Sequence, residues 1–495
     1  MATSTTHISS KMRTRARASW LPYVMLGAIT VLGFVLRFYK LGEWSFWIDE
    51  VYTLERAQAH YTSLEGILRY LPPATNWIPT SVMLTGAAIS ALDVSEWSVR
   101  LVPALIGVLS IPLLYWPVKQ SFGTRTALIF ALLLSVSPWH VQWSQNGRFY
   151  AALMLLYALA AFALYFGLER NRPAYLATGL LLFYLAMSER MIAGLVAPSL
   201  AVYLLALPLL RFARPSGYNR RNFLILLAPL LAGAAFEVYN VVVTGSPRLL
   251  AEADVFIGNA IDSPVRILTL IVFGIGTPVV VLGIFGGGWM VHQRSRAGLF
   301  CLANAVVPIV LLLAISPWVF VVDRYALITL PFWLILSATA VERLWSLLED
   351  SNRWLAAAVL ALLVADAAGA HLMYYQINMG NRPDWRGAFA YVASNMQRGD
   401  VVVTTRQPVG EYYLGSSSLG DGEVVDMVGF SPENLPSSAN TVWFVTDSEG
   451  IWATPPSTRQ WLEENADLLF VRYLRMREQI DLKVYQYKSH GPQGE

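Results

Sequence analysis

The sequence predicts a mainly α-helical, polytopic membrane protein of about eleven spans that ends in a small α/β domain. Three observations carry that expectation. The 495 residues are 55% hydrophobic and only 14% charged, too little charge to solvate the surface of a soluble protein of this length. Apolar runs of about 17–25 residues, enough to cross roughly 30 Å of hydrocarbon, follow one another as far as residue 374. Beyond that point the chain turns polar, and short β-rich runs alternate with helical ones.

The candidate spans are residues 20–38, 99–118, 124–139, 148–168, 174–188, 190–210, 222–243, 266–290, 298–317, 324–342 and 354–374. The run from Trp77 to Leu92 is apolar but interrupted by Pro79, and it is read as interfacial. Counting it as a span would invert the charge pattern of the later loops, whereas Lys and Arg accumulate in cytoplasmic loops. Lys11, Arg13, Arg15 and Arg17 place the N-terminus inside. Lys119 and Arg125, Arg170 and Arg172, Arg211 to Arg221, Arg294 and Arg296, and Arg343 and Arg353 then all fall on that same side. The first span has the basic flank of a signal peptide but a long apolar run and no clear small-residue cleavage site, so it reads as an uncleaved anchor.

Three regions are expected to face outward: residues 42–98, residues 244–265, and everything after about Tyr374. The spans and the first loop make up a membrane domain, 1–375, and the tail an extracytoplasmic α/β domain, 376–495. Within the tail, Val401–Thr405, Thr441–Thr446, Leu468–Leu474 and Leu482–Tyr487 read as strands, and Asp384–Met396 and Ser457–Asn465 as helices. A net charge of +3 with no basic tract interleaved with aromatics argues against nucleic acid as a partner. Cys301 is the sole cysteine, so no intrachain disulfide forms. With six His and one Cys no ligand cluster stands out, and neither metal nor cofactor is expected.

Directly after the first span comes Leu41-Gly42-Glu43-Trp44-Ser45-Phe46-Trp47-Ile48-Asp49-Glu50. Adjacent carboxylates flanked by three aromatics have a bland reading, a solvated interface with Trp anchors. The chemical reading is a base that removes a proton from an acceptor hydroxyl or amine. The aromatic wall then stacks on sugar and dries the acid's surroundings. Glu50 to Tyr70 reads as an amphipathic helix on the membrane surface.

The ordered set from Arg37 to Asp49-Glu50, Pro72-Pro73, Ser95 to Leu105, Ser137 to Tyr150, Arg324-Tyr325 to Pro331, and Pro383-Asp384-Trp385-Arg386 resembles the GT-C membrane glycosyltransferases. The likeness is to bacterial aminoarabinose transferase-like and protein O-mannosyltransferase-like enzymes, covers most of the chain and is densest over residues 33–170. It implies a polyprenyl-phosphate sugar donor, a lipid, glycan or protein acceptor at the outer face of the inner or plasma membrane, and transfer with inversion. It also implies Asp49 as catalytic base. Glu50 has three candidate roles beside it: acceptor binding, orientation of Asp49, or capping of the following helix. Relatives often carry His or Glu-Lys before the double proline, where a metal or donor phosphate is held. This chain has Tyr70-Leu71 there, which speaks for a metal-independent enzyme.

Isolated arginines at the expected outer ends of spans break the inside-positive pattern, and a charge at membrane depth is a functional hypothesis by default. Arg148 with Tyr150, Arg324, Arg190 and Arg37 are the candidate donor-phosphate residues, because a guanidinium fork matches a departing phosphate bidentately. The bland alternative is a snorkelling side chain or a local pair, Asp323 with Arg324 or Glu189 with Arg190. His140 reads as an interfacial histidine, and Asp384, Trp385 and Arg386 as the start of a helix packed on the membrane domain. The main rival class is a lipid or sugar flippase, whose signature is paired discontinuous helices, internal repeats and midplane ionisable residues; the sequence shows no such repeats, and its acidic pair sits in a loop. A membrane-anchored sensor would leave the many spans without purpose.

Overall fold

The computed structural model describes residues 4–63, 80–244, 263–415, 424–427, 430–434, 441–472 and 481–488. Helix α1 (Ser4–Phe38) is followed by α2 (Ile48–His60) and α3 (Thr80–Leu92). Then come α4 (Glu96–Phe122), α5 (Thr124–Val136), α6 (Pro138–Ser144), α7 (Tyr150–Glu169), α8 (Pro173–Glu189) and α9 (Val196–Leu209). The helical body continues with α10 (Arg220–Thr244), α11 (Pro264–Ile275), α12 (Thr277–His292), α13 (Arg296–Ile315), α14 (Leu330–Leu347) and α15 (Trp354–Leu372). Short 3-10 turns, Met191–Leu195 and Asp323–Thr329, lead into α9 and α14.

Among the described residues, seven helices are long and apolar enough to cross a membrane, and two bent pairs raise the number to nine. The other two predicted runs are occupied by α8 and α10. Two expected straight spans are bent. Residues 266–290 break by 89° between α11 and α12, because Gly276 adopts φ 99° and Pro278 follows at the start of α12. A left-handed glycine ends a helix, and proline can only begin one. Residues 124–139 bend by 57° between α5 and α6, where Ser137 accepts a hydrogen bond from the His140 N–H to start a new helix at Pro138. The expected surface helix over 50–70 ends earlier, at His60, where the buried Tyr61 caps it against Gly86 of α3. Residues 64–70, Pro72-Pro73 and most of the loop over 244–265 lie outside the described residues.

The body is built around α7 and α14, buried on nearly every side. A helix apolar all round belongs at the centre of a bundle, and small residues let neighbouring backbones approach. Gly167 and Gly179 lie flush on Leu176 and Leu164 where α7 meets α8, and Gly283 and Gly286 on Trp333 and Leu336 where α12 meets α14.

The C-terminal part adds α16 (Trp385–Asn395), α17 (Gln407–Leu414), α18 (Ser448–Ala453) and α19 (Pro456–Asn465). These surround strands β1 (Val401–Thr404), β2 (Val424–Asp426), β3 (Thr441–Asp447), β4 (Asp467–Arg472) and β5 (Leu482–Lys488). The sheet order is β2-β1-β3-β5-β4, parallel from β2 to β3 and antiparallel beyond. One buried core joins this domain to the first connecting region: Ile48, Val51 and Leu54 of α2 pack with Trp385, Phe389 and Leu414.

Candidate active site

Asp49 and Glu50 occupy the first turn of α2, where unpaired backbone N–H groups favour carboxylates. Their surroundings are opposite. Glu50 is fully buried. Its Oε1 accepts from Arg100 Nε at 2.9 Å and the Gly147 N–H at 2.7 Å. Its Oε2 accepts from an Arg100 terminal nitrogen and the Trp47 N–H, each at 3.0 Å, and from Arg382. Burial alone would push the carboxyl pKa up; the Arg100 and Arg382 guanidiniums and these hydrogen bonds outweigh it and hold the group at about 2. Of its three candidate roles, helix capping and orientation of Asp49 match this geometry, while both oxygens are already committed and leave none for an acceptor. Arg100 uses its remaining donors on the carbonyls of Leu41, Trp44 and Ser45, fixing the strand of chain that delivers Asp49.

Asp49 is 25% exposed, and among the described residues its carboxylate accepts no direct hydrogen bond. Arg148 Nε and an Arg324 terminal nitrogen each stand 4.0 Å from Asp49 Oδ2. Arg148 is held by donating to the Asp49 carbonyl and to Thr53 Oγ1, both at 2.9 Å, and its Nε is buried without a hydrogen-bond acceptor. Arg324 donates from Nε to Tyr150 Oη at 2.9 Å and lies over the rings of Trp47 and Trp143 at 5.0 and 5.9 Å. Stacking fixes its plane, with a terminal nitrogen facing Asp49 Oδ2. Arg190 reaches the same group through Phe149, whose ring lies 5.7 Å from its guanidinium and 5.2 Å from that of Arg148. It also donates to Tyr325 Oη at 3.4 Å.

The structure thus brings Asp49, Arg148, Tyr150, Arg324 and Arg190 together. Arg148 lies just before α7, and Arg190 and Arg324 lie at the 3-10 turns that lead into α9 and α14. Glu189 is bonded to the Ser81 N–H and Oγ at 2.9 and 2.6 Å, which ties α3 to the corner that carries Arg190.

Arg37, expected on the donor side, is placed elsewhere. It is fully buried, donates to the carbonyls of Gly33, Ser135 and Leu134, and sits 2.7 Å from His140 Nδ1. The bend after α5 frees the carbonyls of Leu134 and Ser135, and a buried guanidinium satisfies them. His140 is likewise inside the bundle and not at the interface. Asp384 starts α16 by accepting from the Gly387 N–H at 3.0 Å. Arg386 reaches Glu96 and the Glu43 carbonyl of the first connecting region. Nothing in the sequence marks Arg382, and Arg100 lies within the run from Ser95 to Leu105 with no role legible from sequence. The signal for Arg100 was a cation in the first turn of the span that follows an acidic loop. Gln145 has a similar part: its Nε2 binds the carbonyls of Arg37 and Tyr39 at the end of α1.

Residues 71–232 match the family model for dolichyl-phosphate-mannose-protein mannosyltransferases. YycA of Bacillus subtilis (strain 168), which carries a provisional mannosyltransferase name, is 31% identical over 168 residues, 34% of this chain. That stretch spans only 23% of the curated relative. The crystal structure of ArnT from Cupriavidus metallidurans bound to undecaprenyl phosphate superposes with a TM-score of 0.59 at 16% identity. It covers 96% of this chain and 100% of that one. The oligosaccharyltransferase AglB from Archaeoglobus fulgidus, in complex with an inhibitory peptide and a dolichol-phosphate, gives 0.54 at 14% identity. There the coverage is 88% of this chain and 70% of that one. The fold likeness to these membrane enzymes extends over nearly the whole chain, and the stretch matched by the family model carries Arg100, Arg148 and Arg190.

Proposed function

We propose that this protein transfers a sugar from a polyprenyl-phosphate donor to a hydroxyl or amine acceptor, with Asp49 as base and inversion at the anomeric carbon. The N-terminus is cytoplasmic in this reading, and Asp49 and the C-terminal domain face the outside of the inner or plasma membrane. The observation that carries it is a carboxylate with free lone pairs set between two guanidiniums, each 4.0 Å away. Asp49 takes the acceptor proton as the acceptor atom bonds to the anomeric carbon. The bond from that carbon to the phosphate oxygen breaks, and its electron pair leaves on the lipid phosphate. Arg148, Arg324 and Arg190 stabilise that departing charge, which costs little reorganisation because their side chains are already fixed by Thr53, Tyr150 and the aromatic rings. The lipid phosphates in the two related structures and the name of the matched family support this donor class.

The test is purified protein incubated with undecaprenyl-phosphate-linked mannose and a panel of hexosyl and pentosyl analogues, with mass spectrometry of the lipid product. Release of undecaprenyl phosphate with sugar on an acceptor is expected; intact donor moved across a vesicle bilayer would instead identify a flippase. Arg324→Ala is expected to raise the donor KM about 10- to 100-fold, the worth of one charge-assisted contact. Arg324→Lys should recover only part of this, because a point charge lacks the fork and the stacked plane that Trp47 supports. An unchanged KM in the alanine variant would remove Arg324 from the donor site.

A further inference from the structure

We propose that the connector into the C-terminal domain positions the reactive loop, with Arg382 holding Glu50, and through it Asp49, in register with the arginine cluster. This rests on the reading of Asp49 as base. Three contacts point to it. Arg382 is buried, bonds to Glu50, and donates to the Gln145 carbonyl at 3.1 Å, so one side chain spans the residue after Asp49 and the turn before Arg148. Arg386 and Tyr413, from α16 and α17, converge on Glu96 at the start of α4, and Tyr413 Oη also accepts the Phe46 N–H at 2.8 Å. Finally, α2 packs on α3 on one side and shares a single buried cluster with α16 and α17 on the other.

The connector's backbone is built for this insertion. Met379, Gly380 and Asn381 have φ of 47°, 70° and 56°, three left-handed residues in succession. Such a turn is unfavourable for a methionine, and it is maintained by what it delivers: Gly380 against the face of Trp44 and Arg382 beside Glu50. A Cβ on Gly380 would stand 2.5 Å from Trp44 Cδ2. Arg100 alone already neutralises Glu50, so charge balance does not require Arg382. Its second function is mechanical, joining two pieces of chain 332 residues apart.

The full-length protein in nanodiscs is the material for the test. In Arg382→Gln, amide exchange over residues 41–54 is expected to accelerate about tenfold or more, since charge-assisted hydrogen bonds that close the loop are lost. Exchange in α7 should not change. With undecaprenyl-phosphate-linked mannose, kcat is expected to fall about 100-fold, as for a misplacement of about 1 Å at the reacting group, with the donor KM within about twofold. Arg382→Lys, which keeps a cation able to reach Glu50, should restore much of both. Gly380→Ala should reproduce the exchange phenotype with Arg382 intact, and it decides the matter if Arg382→Gln does not fold. Unchanged exchange over 41–54 overturns the proposal, as does a raised donor KM at unchanged kcat, which would make Arg382 a donor-binding residue. Exchange needs no turnover, so full activity in Asp49→Asn would remove the base assignment while leaving this readout to decide the role of Arg382.

Discussion

Asp49→Asn is expected to lower the rate of sugar transfer about 1,000-fold, within the range of about 10²–10⁴ contributed by a general base. The amide keeps the shape of the carboxylate and cannot take the proton. Folding should be unaffected, for a structural reason: Thr53 and Arg148 bind the Asp49 backbone carbonyl, and the side chain itself accepts no hydrogen bond among the described residues. The donor KM is expected to stay the same or fall, because removing the carboxylate removes a negative charge from beside the phosphate site. Single-turnover release of undecaprenyl phosphate, together with a thermal melt of the same preparation, separates these effects. Wild-type turnover in a folded Asn variant would overturn the assignment of Asp49 as base.

The second large effect is expected at the neighbouring residue, on stability. Glu50→Ala leaves Arg100 and Arg382 buried beside each other without an anion, and breaking a buried pair from one side costs about 3–5 kcal/mol. Recovery of folded protein after detergent extraction should drop sharply, with a lowered melting temperature in what is recovered. The pH dependence has a definite sign. Glu50 is held at about 2 in the folded protein against an ordinary 4.5. A carboxyl with a depressed folded pKa contributes stability that is fully present above its unfolded value and is lost as pH falls through the folded value. That contribution is on the order of 3 kcal/mol, at about 1.4 kcal/mol for each pKa unit. The wild-type melting temperature should therefore decline from about pH 4.5 towards pH 2 more steeply than that of Glu50→Gln, which lacks the titrating group. Parallel curves would show that the ion pair does not control acid stability.

The two adjacent acids show where sequence reasoning stops. Asp-Glu at the start of a helix after an apolar span is legible in the chain, and so is its likeness to a known family. Which acid keeps free lone pairs is not, because Glu50 is consumed by Arg100, 50 residues away, and by Arg382, 332 residues away. The arginines divide in the same manner. Arg148, Arg324 and Arg190 were recognisable as lone cations at span ends, and each lies where its helix begins. Arg37 has the same signature, but the bend after α5 offers it backbone carbonyls and takes it out of the site.

What the sequence by itself determined is therefore what depends on local composition and length. Apolar runs long enough to cross a bilayer became the helices, and short β-rich runs in the tail became most of the sheet. The candidate residues fell at the ends of those elements, where polar groups meet the interface. Only the tertiary structure decided which charges meet, which carboxylate is spent on structure, and that α2 completes its core on the C-terminal domain. The physical reason is range. Hydrophobicity and helix termination act over a few residues, whereas an ion pair is set by the packing of whole helices whose order in sequence says little about their neighbours in space.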